Sequence, residues 1–142
     1  MMRKKKDRAE GIPPGFPKKE PKPPDRLQKR VLIVERDPEL SRLLSLFAEK
    51  KGMDAVIAKD SGDALEKFRT GGADLVLSGF QLSPMNGLQL MAEIRKLSSK
   101  AKMVLLTSGV DPEEKKKLQD LGVDAIIEKP FIIEPLSRIL DD

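Results

Sequence analysis

"RVLIVERDPELSRLLSLFAEKKG", Arg30 to Gly52, contains a strand pattern followed by a helix pattern, and this unit decides the fold of the chain. Its apolar run, residues 31–34, is typical of a strand buried on both faces of a parallel sheet. A helix start follows, with Asp37 as the N-cap and Pro38 at the first helical position. The side chains expected on the buried face of this helix are Leu40, Leu43, Leu44 and Phe47. The stretch therefore predicts a strand and an amphipathic helix that ends at Gly52.

The same alternation of strand and helix repeats along the rest of the chain. The further strand segments are MDAVIA (53–58), ADLVLSG (73–79), AKMVLLTS (101–108) and DAIIEKP (124–130). Helical patterns follow them, beginning near Asp60, Asn86, Asp111 and Glu134, and Asp111 with Glu114 forms a capping-box pattern. Five strands and five helices with short connections predict an α/β fold, in which a doubly wound five-stranded parallel sheet carries helices on both faces.

Charge divides the chain into two parts. The first 30 of the 142 residues hold 11 of the 27 Lys and Arg against four acidic residues, a local charge of +7, whereas the remainder carries −3. Six of the 11 prolines also lie in this leader, which has little apolar surface to bury. We expect residues 1–28 to be a disordered basic, Pro-rich arm and residues 29–142 to be one domain. The arm is either a solubilising tail or a contact for nucleic acid, anionic lipid or an acidic partner.

The absence of cysteine and histidine excludes several classes of function. The chain has no cysteine and no histidine. Disulfides, thiol chemistry, zinc sites, catalytic triads and histidine phosphotransfer on this chain are therefore excluded. No apolar run approaches the roughly 18 residues that cross a bilayer, and the basic start lacks the apolar segment of a secretory signal. The sequence predicts a cytoplasmic protein without a membrane span.

Polar residues follow the predicted strands at the edge where function collects in sheets of this type. The carboxyl ends of parallel strands meet at one edge, near the point where the strand order reverses. The residues placed there are Glu35, Arg36, Asp37, Gly79, Thr107, Ser108 and Lys129. Side chains from distant parts of the sequence are therefore expected to converge on one pocket.

Four motifs in this order resemble the receiver domain of two-component response regulators. They are "VLIVERDPEL", "DLVLSGFQLSPMNGLQL", "MVLLTSG" and "DAIIEKPF", and the resemblance covers residues 30–142. It implies the flavodoxin-like strand order 2-1-3-4-5, which is the order found in receiver domains. It also implies a cis peptide between Lys129 and Pro130. In the family, an aspartate at the end of the third strand accepts a phosphoryl group from a donor with the help of Mg²⁺.

The family pattern fits this chain only in part. Thr107 matches the hydroxyl position and Lys129 the lysine, both of which contact the phosphorylated aspartate in receivers. Glu35 matches the first acidic position, but Arg36 stands where the second metal-binding carboxylate is expected. The phosphoacceptor position falls on Gly79, which has no side chain to phosphorylate. The resemblance therefore implies a degenerate receiver, or pseudo-receiver.

The pocket is expected to hold no metal or other cofactor. Mg²⁺ prefers several carboxylate or phosphate oxygens in a tight octahedron, and Arg36 places a guanidinium among them. Our hypothesis is that Arg36 and Lys129 neutralise Glu35 and Asp37 without an ion. Ser78 is a poor substitute nucleophile, because alternate side chains of a strand point to opposite faces and it should point away from the pocket.

The sequence thus predicts a protein-interaction module in two-component-type signal transduction that is independent of phosphorylation and is not an enzyme. The expected partner is a histidine kinase or another regulator, which contacts helix 4, strand 5 and helix 5. A homodimer through the same surface is a further option. Two alternatives remain open: a regulator that binds nucleic acid through residues 1–28, and a receiver that is phosphorylated at an atypical residue.

Overall fold

A computed structural model of the chain describes residues 28–130 and 133–141. Five strands alternate with five helices along this part of the chain. In order they are β1 (Arg30–Val34), α1 (Pro38–Lys50), β2 (Asp54–Ala58), α2 (Ser61–Gly71), β3 (Leu75–Gly79), α3 (Gly87–Leu97), β4 (Lys102–Thr107), α4 (Pro112–Asp120), β5 (Ala125–Glu128) and α5 (Ile133–Asp141). The predicted elements are confirmed, with boundaries that shift by a few residues.

The strands form one parallel sheet in the order β2-β1-β3-β4-β5. This is the predicted flavodoxin-like order. Val34 pairs with Ser78, and Thr107 pairs with Glu128. The register therefore brings the carboxyl ends of β1, β3, β4 and β5 to one edge of the sheet, where Gly79 closes the central strand β3.

Two hydrophobic cores lie on opposite faces of the sheet because successive strand residues point to opposite sides. Leu32 and Val34 face a core shared with α2, α3 and α4, whereas Val31 and Ile33 face a core shared with α1 and α5. All four side chains are at most 2% exposed. A strand with both faces covered needs apolar residues at every position, which explains the uninterrupted run in β1.

Capping residues fix where the helices begin. The carboxylate of Asp37 accepts the Glu39 amide at 3.0 Å, so Asp37 is the predicted N-cap of α1. Asp111 and Glu114 form the predicted capping box of α4. These contacts satisfy amides that the first helical turn leaves without a partner.

One predicted core position is wrong, and one predicted segment lies outside the described residues. Leu43 was expected on the buried face of α1, but 50% of it is exposed. The buried residues of α1 are Ser41, Leu44 and Ala48, so the buried stripe is narrower than the apolar pattern. The arm predicted over residues 1–28 lies, apart from Gln28, outside the described residues.

Two backbone features complete the description. The predicted cis peptide at Lys129-Pro130 is confirmed, and a second one joins Ser83 to Pro84 in the loop between β3 and α3. None of the helices described is both long and apolar enough to cross a membrane.

Candidate functional site

A cavity of about 180 Å³ opens at the carboxyl edge of the sheet, between the ends of β1, β3, β4 and β5. Its lining includes Glu35, Arg36, Gly79, Phe80, Thr107 and Lys129. The structure thus brings together six of the seven residues that the sequence placed at this edge, because Ser108 also lines the cavity. The seventh, Asp37, lies outside it.

Gly79 forms the floor of the cavity at the end of β3. A Cβ atom built on it would lie 3.0 Å from Glu35 Oε1 and 3.7 Å from the Val34 carbonyl oxygen. Any side chain at this position would therefore project at the Glu35 carboxylate. The backbone of Gly79 lies outside the left-handed region, so the strand does not require a glycine there for conformational reasons.

The Glu35 carboxylate is buried in the cavity and both of its oxygens have partners. Its side chain is 4% exposed. Oε1 accepts a hydrogen bond from Lys129 Nζ at 3.1 Å, and Oε2 accepts the Asp37 amide at 3.1 Å. Lys129, which is 30% exposed, supplies the charge that offsets this buried carboxylate. The Glu35 carboxylate, paired with Lys129, is thus the group nearest to the place that a side chain at residue 79 would occupy.

The Thr107 hydroxyl is committed to its own loop. It donates to the Gly109 carbonyl oxygen and accepts the Gly109 amide, both at 3.1 Å. The backbone amide of Lys129 also donates to the Thr107 carbonyl oxygen at 2.9 Å. These contacts hold the ends of β4 and β5 together and place both side chains on the cavity wall.

The hypothesis that two cations neutralise two carboxylates in this pocket is half right. Lys129 pairs with Glu35 as expected. Arg36 lines the cavity but is exposed, and it forms no ion pair within residues 28–130 and 133–141. The Asp37 carboxylate lies at the start of α1, where Oδ1 accepts the Glu39 amide, and Asp37 does not line the cavity. Local capping therefore places one of the four charges outside the pocket.

Ser78 faces away from the cavity, as the alternation of side chains predicted. It is fully buried, and its hydroxyl donates to the carbonyl oxygen of Gly79 at 2.8 Å. It is absent from the residues that line the cavity. Ser78 is therefore in no position to receive a group delivered to the pocket.

The loop between β3 and α3 contributes wall residues that the sequence analysis did not assign. Phe80 and Gln81 separate the cavity from a second one of about 330 Å³, which also borders Arg36 and Lys59. Gly87 closes this loop, since its amide donates to the Phe80 carbonyl oxygen at 2.7 Å. Phe80 and Gln81 directly follow a predicted strand, and this position is the sequence signal that could have placed them at the cavity.

Comparison with known proteins gives a consistent result. Residues 31–141 match the protein family described as "Response regulator receiver domain". The chain is 32% identical over 106 residues to the transcriptional regulatory protein YkoG of Bacillus subtilis, covering 75% of this chain and 46% of that protein. It is 34% identical over 107 residues to the response regulator ArlR of Staphylococcus saprophyticus, with 75% and 48% covered. The chain thus spans about half the length of these relatives.

Solved structures show the same fold. A CheY-like receiver domain from Methanospirillum hungatei superposes with a TM-score of 0.73 at 28% identity, covering 80% of this chain and 94% of that one. The response regulator TrrA from Thermotoga maritima, solved in complex with Mg²⁺-BeF, gives 0.70 at 29% identity, with 80% and 97% covered. The topology of this chain therefore has counterparts among solved receiver structures.

Proposed function

This chain belongs to the response regulator receiver domain family, and we propose that its domain is a pseudo-receiver that signals by protein contact rather than by phosphorylation. It is a cytoplasmic signalling module and not an enzyme. One observation carries the proposal. Gly79 ends the central strand where the resemblance places the phosphoacceptor, and the neighbouring carboxylate of Glu35 is paired with Lys129.

Neither Ser78 nor Glu35, which lie beside Gly79, replaces the missing acceptor. A phosphoryl transfer needs an accessible oxygen nucleophile, and Gly79 has none. The Ser78 hydroxyl is buried on the other side of the strand and bonded to a carbonyl oxygen. Both oxygens of Glu35 already accept hydrogen bonds, and the side chain is almost fully buried. These contacts argue against phosphorylation at Ser78 or Glu35.

The donors in the pocket do not suit Mg²⁺. This ion prefers near-octahedral oxygen ligands and rarely gives up its waters for a single carboxylate. Glu35 is engaged by an ammonium group, Asp37 caps a helix, and Arg36 adds a positive charge. The described part of the chain contains no group of three or more His, Cys, Asp or Glu arranged to hold a metal ion. We therefore infer that the domain works without Mg²⁺.

The Glu35–Lys129 pair keeps the domain near one conformation. In a two-state protein, a ligand shifts the equilibrium only as far as it binds the two states differently. Here the carboxylate that engages Lys129 is part of the chain and is always present. The domain therefore stays near one conformation, and regulation passes to the binding of partners.

The proposed partner surface is α4, β5 and α5, and the partner is a histidine kinase or another regulator. The exposed Lys115, Lys116 and Lys117 give α4 a strongly charged outer face. Lys116 and Lys117 face Asp120 and Glu113 at 3.7 and 4.0 Å, so these loose, exposed pairs leave the lysines free to engage an acidic partner. A homodimer through this surface is a second use of it.

The +7 charge of the first 30 residues favours a second contact, with nucleic acid. Such binding is mainly electrostatic and weakens steeply with salt. We expect the affinity of the full chain for duplex DNA to fall with ionic strength and to disappear when residues 1–28 are deleted. Affinity that survives this deletion would place the contact on the folded domain instead.

Incubation with acetyl phosphate and Mg²⁺ tests the main proposal. Intact-mass spectrometry of the native chain should show no added phosphoryl group. The matched control carries Gly79→Asp and Arg36→Asp, which restore the acceptor and the second acidic position, and it should gain one. A phosphoryl group on the native chain would overturn the proposal, and mapping it to Ser78 or Glu35 would identify the acceptor.

A further inference from the structure

Four exposed residues of α1 form a narrow stripe along the helix: Glu39, Leu43, Leu46 and Lys50, named here the α1 stripe. Their spacing of four, three and four residues places them within about 60° of one another at 3.6 residues per turn. Leu43 and Leu46 are 50% and 56% exposed. Within residues 28–130 and 133–141, neither Glu39 nor Lys50 takes part in an ion pair.

We propose that the α1 stripe is a homodimer interface, in which α1 of one copy packs antiparallel against α1 of a second copy about a two-fold axis. The axis passes midway between Leu43 and Leu46. Each leucine then meets the other leucine of the partner copy, and each end charge meets the opposite charge. This surface is separate from the α4, β5 and α5 surface proposed for signalling partners.

The order of residues in the stripe is self-complementary under that rotation. A two-fold interface brings the same patch of both copies together, so each residue must suit the one that the symmetry places opposite it. The point halfway between Leu43 and Leu46 along the helix is also halfway between Glu39 and Lys50, so one two-fold axis relates both pairs. An antiparallel pair therefore makes two Glu39–Lys50 contacts around an apolar centre, whereas a parallel pair would oppose like charges.

Exposed apolar side chains concentrate on the same side of the molecule. The exposed large hydrophobic residues of the described chain are Leu43, Leu46, Ile57 and Ile133. Ile57 pairs in register with Ile33, whose side chain faces the α1 and α5 core, and Ile133 belongs to α5. This face thus carries the unburied apolar surface, while α4 on the other face is outwardly charged.

The size of the contact predicts a weak dimer. Glu39 and Lys50 are 11 residues apart, or about 16 Å along the helix axis. One helix face of this length is smaller than the roughly 800 Å² per partner of a standard stable interface. We therefore expect a concentration-dependent equilibrium with a dissociation constant in the micromolar range or weaker.

Cross-linking through introduced cysteines tests the geometry, and the chain offers a clean background because it has no native cysteine. The full-length variants are Glu39→Cys and Lys50→Cys, treated with a short bismaleimide. The mixture should give a cross-linked dimer, whereas either variant alone should not, because equivalent positions are about 16 Å apart along the axis. Equal cross-linking in all three samples would overturn the antiparallel arrangement.

Sedimentation velocity of the full chain tests the charges. Glu39→Lys and Lys50→Glu should each raise the dissociation constant by about an order of magnitude, because each places like charges at both ends of the contact. The double variant should restore it to within about twofold of the native value. Far-UV circular dichroism confirms that each variant is folded.

The matched control is Lys100→Glu, an exposed lysine in the loop between α3 and β4 that lies outside both proposed surfaces, and it should leave association unchanged. A second probe, Leu46→Gln, should abolish dimerisation while sparing the fold, since Leu46 is mostly exposed. A chain that is monomeric at several hundred micromolar, or a dimer that is kept with Leu46→Gln, would overturn the proposal.

Discussion

Replacing Lys129 by methionine removes the cation that offsets the buried carboxylate of Glu35. The substitution deletes one 3.1 Å hydrogen bond between charged groups, and Glu35 keeps only the Asp37 amide as a partner. Hydrogen bonds to charged groups stabilise by about 1.5–3 kcal/mol. Because Lys129 is 30% exposed, water screens part of its interaction with Glu35. We therefore expect the free energy of unfolding to fall by about 1–2 kcal/mol.

Urea denaturation followed by far-UV circular dichroism measures this decrease, since the chain has neither tryptophan nor tyrosine as a fluorescent probe. The same change should lower the melting temperature by about 5–10 °C for a domain of this size. Lys115→Met, which removes an exposed lysine of α4, is the control and should leave the midpoint unchanged. In the double variant, Glu35→Gln should recover part of the stability that Lys129→Met removes, because no buried charge then remains.

Two results would refute this reasoning. One is a Lys129→Met variant that is as stable as the Lys115→Met control. The other is strict additivity of Glu35→Gln and Lys129→Met, because residues in direct contact should show a coupling of at least about 0.5 kcal/mol. Either result would mean that the pair does not stabilise the cavity and that Glu35 does not hold Lys129 in place.

Three further predictions concern other parts of the fold. Gly87→Ala should cost about 2–3 kcal/mol in urea denaturation, because its Cβ would press against two backbone atoms that cannot swing away. Gly62→Ala is the control for that change: its nearest neighbours are 3.5 Å or more away, so it should stabilise α2 by about 0.5–1 kcal/mol. Hydrogen bonds from the Lys59 amide and, to a smaller extent, from the Lys67 side chain lower the pKa of Asp63. The ionised Asp63 therefore stabilises the fold fully above its unfolded pKa, and this contribution is lost as pH falls through its folded pKa. Asp63→Asn should therefore destabilise at neutral pH and lose this effect in acid; an equal difference in urea midpoint at both pH values would contradict the assignment.

Much of the fold could be predicted because its signals are local. The apolar run of β1 reports burial on both faces, and Asp37 with Pro38 marks the start of α1. Leu43 shows where such signals fail. Its spacing fits the buried face of α1, but burial depends on what the rest of the fold places beside the helix. A pattern within one helix does not contain that information, and the exposed Leu43 now belongs to the proposed dimer interface.

The candidate site could be located from the sequence more readily than its contacts could. Strand ends gave the positions of Gly79 and Lys129, and the resemblance gave their roles. That Arg36 forms no ion pair in the described part of the chain could not be predicted, because the neighbouring Asp37 carboxylate instead accepts an amide at the start of α1. Capping hydrogen bonds of this kind compete with ion pairs, and exposed ion pairs contribute little stability.

The most direct test of the pseudo-receiver claim is an amide NMR titration of the full chain with Mg²⁺ and beryllofluoride, which mimics a phosphoryl group. The variant with Gly79→Asp and Arg36→Asp is titrated in parallel. We predict that the amide resonances of Thr107 and Lys129 do not shift in the native chain, while those of the variant do. Saturable shifts at these two residues in the native chain would contradict it, because the pocket would then still bind a phosphoryl group without an aspartate at position 79.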